Sequence, residues 1–130
     1  MVDITAPVTS AQLFIEEYRK GAFQVRGKEY EGPMILMPHN IATWTPDDVH
    51  QLTEGDFKEF LEHHADQVEL LLIGCGDRMV MPPAKLREAL KKHNIAIDMM
   101  DTGAACRTYN VLLGEGRKIA AALYPTTATK

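Results

Sequence analysis

Val68-Glu69-Leu70-Leu71-Leu72-Ile73 is a nearly continuous apolar run that stops at Gly74. A short run of this kind, with no polar alternation, marks a strand covered on both faces, and it is expected to be the central strand of a sheet. Downstream, Pro82-Pro83 stands where a helix start tolerates proline, and Leu86, Ala89 and Leu90 recur at helical spacing until Asn94. Ile95-Ala96-Ile97-Asp98-Met99-Met100 then restores strand character. Strand, helix and strand in that order predict a parallel, right-handed β-α-β unit.

Working outward, a further helix is expected from about Gly103 to Leu113, capped by Asp101 or Thr102, with Ala105, Cys106, Tyr109, Leu112 and Leu113 on one face. Gly114 and Gly116 end it, Arg117 to Leu123 reads as a last strand, and Pro125 to Lys130 as a loose tail. Before the central run, Phe23-Gln24-Val25, Glu29-Tyr30-Glu31 and Met34-Ile35-Leu36-Met37 are short strands, the first two joined by a turn at Arg26-Gly27-Lys28. Ile41 to Trp44 adds another, so the first half reads as an antiparallel meander. A helix from about Phe57 to His64 follows, with Asp56 as its cap and Glu59 at the third helical position.

The chain has 130 residues, 45% of them hydrophobic, enough for one core and one α/β domain spanning 1–130, with an ordered core at about 12–124 and flexible termini. Lys and Arg number 14 against 18 Asp and Glu, a formal charge of -4. That balance argues against nucleic acid and anionic membranes as partners. The longest apolar run falls far short of the roughly 20 residues of a membrane-spanning helix. Asp3 stands where a signal peptide carries Lys or Arg, so a cytoplasmic protein is expected. Cys75 and Cys106 are too few for a disulfide framework or a four-ligand zinc site, and reduced thiols are expected.

In an open α/β sheet, ligands gather at the carboxyl ends of parallel strands. Here those ends carry Gly74, Cys75, Gly76 and Arg78 on one loop and Asp101 and Thr102 on the other. A helix starting near Thr102 would aim free N–H groups at that edge, and Arg78 or Arg107 could add a bidentate contact to a small anion. The alternative is that the glycines serve a tight turn and Thr102 a cap. A dinucleotide fingerprint would need a third glycine and a helix opening at once, yet Met79 and Pro82-Pro83 follow. No nicotinamide, flavin or other cofactor is expected.

Cys106 would sit near a helix N-terminus, where the dipole lowers a thiol pKa, but it also fits the apolar stripe. His39, His50, His63, His64 and His93 show no spacing that pairs them with a second ligand type, so no metal site and no catalytic residue are assigned. Seven methionines are many for this length; Met34, Met37, Met79, Met81, Met99 and Met100 either fill core gaps or form an adaptable contact surface. Trp44 and Tyr109 are either interface anchors or core aromatics.

Gly21 to Val25, Tyr30-Glu31-Gly32, Glu69 to Gly76, and above all Asp101-Thr102-Gly103-Ala104-Ala105-Cys106-Arg107-Thr108-Tyr109-Asn110-Val111-Leu112 with Gly116-Arg117 after it resemble the Mth938-like family over about Ile15 to Leu123. The resemblance implies a three-layer α/β fold, with a mixed, mostly parallel central sheet flanked by helices and an N-terminal antiparallel β layer. It implies no agreed catalytic residues. A mitochondrial relative is an assembly factor for respiratory complex I, which implies work through protein contacts. Within the matching run, Thr108, Tyr109 and Asn110 put poor helix formers inside a helix. Either they bond nearby loops and hold the helix on the sheet, or they line an interaction groove. The function expected is therefore a non-enzymatic interaction or assembly-factor-like domain with a protein partner; the alternative is an anion-binding protein or enzyme using the Gly74–Arg78 and Asp101–Gly103 loops.

Overall fold

The computed structural model describes residues 12–127. Of the termini expected to be flexible, residues 1–11 and 128–130 lie outside the described residues.

Two sheets form. Strands β1 (Glu17–Arg19), β2 (Ala22–Val25) and β3 (Lys28–Glu31) make an antiparallel three-stranded sheet in that order. Its β2–β3 turn is tight: Val25 pairs with Lys28, and both turn residues, Arg26 (φ 53) and Gly27 (φ 77), are left-handed. Two successive positive φ values match the right-handed twist of the strands they join. The second sheet has five strands, β4 (Met34–Leu36), β5 (Ile41–Thr43), β6 (Leu70–Gly74), β7 (Ala96–Met100) and β8 (Ile119–Leu123), in the order β5-β4-β8-β6-β7. The β6–β7 and β6–β8 pairings are parallel, and β4 is antiparallel to both β5 and β8.

Two expectations change here. The expected single meander splits after β3, because Met34, Ile35 and Leu36 are all buried and need a large sheet, whereas β3 is mostly exposed. The centre of the sheet is β8, not the Leu-rich β6. Ala120, Ala121 and Ala122 are completely buried, and small side chains on both faces let the covering layers come close, which bulk alone does not reveal.

Three helices complete the layers: α1 (Lys58–His64), α2 (Ala84–Lys91) and α3 (Thr102–Gly114). One core, on one face of the sheet, joins Leu71, Ile73, Ile97, Ala120 and Ala122 to Phe57, Phe60, Leu86 and Leu90. The other joins Leu36, Leu72, Ala121 and Leu123 to Tyr109 and Leu113 of α3 and to Phe23 and Val25 of the small sheet. Alternate residues of β8 and β6 feed opposite cores, as the period of two requires. The structure is thus α/β with a mixed sheet between helices and an extra antiparallel β layer.

The cap ahead of α1 lies earlier than the expected Asp56. A 3-10 turn at Glu54–Phe57 precedes the helix, and Thr53 is the cap: its N–H donates to Asp56 Oδ2 at 2.9 Å, so Asp56 is the third residue of a capping box. At the other end of α3, Gly116 (φ 78) lets its N–H reach Leu113 O and that of Arg117 reach Leu112 O, both at 3.0 Å, the paired closure of a Schellman motif. The segment after β8 is tied down as far as Thr127. Thr126 is buried, pairs with Lys20 and accepts from Gly21 N at 3.0 Å, and Thr127 N donates to Asp77 Oδ1 at 2.9 Å. Backbone pairing of this kind leaves no mark on composition.

Candidate functional site

The carboxyl ends of β6 and β7 and the start of α3 meet as the strand order requires. Cys75 N donates to Met100 O at 2.8 Å, and Thr102 N donates to Gly76 O at 2.9 Å. The buried Thr102 hydroxyl accepts from Gly76 N at 2.8 Å and donates to Tyr124 O at 2.6 Å. Asp101 caps the helix through Oδ1, which accepts from Ala104 N at 2.9 Å. Gly74 is needed for the closeness of this packing: a Cβ there would lie 2.8 Å from Leu123 Cδ2 and 3.1 Å from Thr102 Cα.

Gly74, Cys75, Gly76, Asp101 and Thr102 are therefore brought together, and two of the donors at this helix start, the Thr102 and Ala104 N–H groups, are already spent within the protein. Arg78 is exposed and stands outside this network. Cys75 is buried, and burial pushes its thiol above the ordinary value of 9.0 while backbone groups of Val80 and Met100 pull the other way. Cys106 is buried too and is pushed up to about 12, with Arg107 opposing the shift. Desolvation by burial is the largest influence at both sites and outweighs the groups that oppose it.

The Thr108-Tyr109-Asn110 run is split in purpose. Tyr109 is fully buried, in the core between α3 and the small sheet, and burial raises its phenol well above the usual range; it presents nothing to a partner. Asn110 bonds both backbone groups of Ile15. Thr108 is half-buried. The methionines also divide: Met34, Met37 and Met99 are in the core, while Met79 and Met81 stand 56% and 74% exposed on the segment between β6 and α2.

A cleft of about 290 Å³ lies elsewhere, between the β4–β5 edge and α1. Ile35, Met37, Trp44 and Phe60 line it, with Asp56, Lys58, Glu59, His63 and His64. Trp44 holds its place by donating from Nε1 to Asp56 O at 2.9 Å and by packing on Phe57 and Tyr124, with ring centroids 5.0 and 5.3 Å away. Sequence reasoning weighed Trp44 and missed the cleft. Its signal was the acid-rich stretch around Phe57 and Phe60. Among the described residues, no three His, Cys, Asp or Glu side chains converge as metal ligands would, and no helix is long and apolar enough to cross a membrane.

Comparison with known proteins places the chain. It is 33% identical over 115 residues to human NADH dehydrogenase [ubiquinone] 1 alpha subcomplex assembly factor 3, covering 87% of this chain and 61% of that protein; the chain thus spans less than two thirds of that relative. The crystal structure of a Bartonella henselae protein, named an outer membrane protein, superposes with a TM-score of 0.81 at 36% identity, over 90% of this chain and 98% of that one. A Bordetella pertussis protein described as a Mth938-like domain has a TM-score of 0.74 at 23% identity, over 96% of this chain and 92% of that one, a likeness of fold alone. A family model described as a protein of unknown function (DUF498/DUF598) matches residues 15–124, and on that match, with the Mth938-like architecture observed, the chain belongs to this family.

Proposed function

We propose that this chain is a non-enzymatic, assembly-factor-like domain that works by binding another protein, in the cytoplasm. The observation that carries the reading is the 33% identity to an assembly factor over 87% of the chain. Two features of the geometry support it. The glycine edge, where an α/β enzyme of this layout would hold a ligand, has spent the Thr102 and Ala104 N–H groups and the Thr102 hydroxyl on the protein itself. Met79 and Met81 place flexible apolar side chains in solvent, a composition suited to protein contacts.

The test is cross-linking of the tagged chain in its native cells, followed by purification and mass spectrometry. Specific partners whose recovery falls in a folded Met79→Ser/Met81→Ser variant are expected. If no partner is enriched over a tag-only control, the interaction reading fails. Fractionation of the same cells checks the compartment, and recovery in the membrane fraction would overturn the cytoplasmic assignment.

A further inference from the structure

Charge along this chain is lopsided. Residues 45–67 hold seven Asp and Glu against one lysine, formally -6, although the whole chain is only -4, so all the rest is formally +2. Most of these acids, including Asp47, Glu59 and Glu62, are exposed. The segment runs from Thr45, beside the cleft, through α1, which forms one of its walls.

Apolar floor and acidic surround therefore coincide. Trp44 and Phe60 give the cleft aromatic walls, and its volume of about 290 Å³ is at the small end of ligand pockets, suited to one bulky side chain. Tyr124, packed at a tilt against Trp44, has a buried hydroxyl without a partner among the described residues. Its phenol is raised mainly by burial, and further by the carboxylates of Asp56, Asp48 and Asp47.

Resting on the interaction reading, we infer that this cleft seats a bulky apolar side chain of a protein partner flanked in that partner by lysine or arginine. An extended basic chain fits better than a small organic cation, because the acids reach well beyond the cleft while Lys58 stands on its rim. Phosphate-bearing surfaces are repelled by the same field. Buried apolar anchors supply affinity in such contacts, and opposite charge supplies rate and specificity.

Trp44 is the sole tryptophan and lines the cleft, so its emission reports occupancy. The full chain is titrated with the tryptophan-free peptide acetyl-Lys-Arg-Leu-Arg-Lys-amide, with a Gly-for-Leu version, and with a version carrying Glu at all four basic positions. A saturable change is expected for the first, weakening with salt, with binding about tenfold weaker for the glycine peptide and none for the acidic one. Glu59→Lys, checked for native circular dichroism, should bind about fivefold more weakly. Ala42 of β5 also lines the cleft; Ala42→Leu, which narrows it without changing charge, should abolish the preference for leucine over glycine.

No saturable response, equal binding of the acidic peptide, or equal saturation by isoamylammonium would overturn the assignment. The two readings fail separately. If cross-linking finds partners while the peptide response is absent, only the cleft is wrong; if cross-linking finds none, the interaction reading itself falls.

Discussion

The side-chain amide of Asn110, in the middle of α3, pairs with the backbone of Ile15 as a second strand would: Ile15 N donates to Oδ1, and Nδ2 donates to Ile15 O, each at 2.9 Å. The cost of a poor helix former inside α3 is offset by fastening the segment before β1 to the helix. Asn110→Ala should lower stability by about 2–3 kcal/mol, because two bonds are lost and the backbone groups of the buried Ile15 are orphaned. Urea unfolding measures this, and amide exchange near Ile15 should accelerate. A loss below half a kcal/mol would mean that water replaces the amide freely.

Tyr109 presents the opposite case. Its hydroxyl is buried without a partner among the described residues, so Tyr109→Phe should leave stability unchanged or raise it by about 1 kcal/mol, whereas Tyr109→Ala should cost about 3–5 kcal/mol through the cavity left behind. A clear loss in the phenylalanine variant would instead indicate an internal water held by the phenol.

Glycine substitutions should separate by position. Gly74→Ala forces a methyl against Leu123 and the backbone of Thr102 and should cost about 1–3 kcal/mol. Gly114→Ala meets nothing within 4 Å at the end of α3 and should add up to about 1 kcal/mol from helix propensity. Thermal midpoints of the two variants, moving in opposite directions, test the pair.

Alkaline pH should unfold the domain progressively. The Cys106 thiol is pushed from 9.0 up to about 12, and the Cys75 thiol and the Tyr109 and Tyr124 phenols are also raised by burial. Each group has a higher pKa folded than unfolded, so its contribution is intact below pH 9 and is lost as the unfolded chain releases protons first, at up to about 1.4 kcal/mol per pH unit per group. Urea midpoints between pH 7.5 and 10.5 should fall, and Cys106→Ala should flatten the decline. Native thiols should also resist alkylation at neutral pH until the protein unfolds; fast labelling of Cys75 would restore it as a reactive group.

What could be read from the residues was mostly what repeats locally. The period of two and the apolar runs marked β2, β4, β6 and β7, and helical spacing marked α2 and α3. The rule that ligand loops lie at strand carboxyl ends brought Gly74–Gly76 and Asp101–Thr102 together correctly. How those loops spend their hydrogen bonds was not legible, since the Thr102 hydroxyl joins Gly76 and Tyr124, residues 26 and 22 positions away. Strand β1 escaped notice because Glu17-Tyr18-Arg19 has no apolar pattern, and it forms through pairing with β2. The cleft escaped for a similar reason: its floor comes from β4 and the residues beside β5, its wall from α1, and no single window of sequence contains both.

The position of β8 has a consequence for how the protein is made. Strands β4 and β5 emerge early in synthesis and β6 and β7 later, yet the two pairs share no ladder until Ile119–Leu123 slides between them. While the ribosome is still adding α3, the Leu70–Ile73 edge and the Met34–Leu36 edge both wait unpaired, and every contact that joins them spans a long stretch of chain. Such a sheet closes late and all at once. From the completion of β7 at Met100 until β8 arrives, the nascent chain therefore carries two half-sheets with open edges, the stage at which a chaperone would be of most use to it.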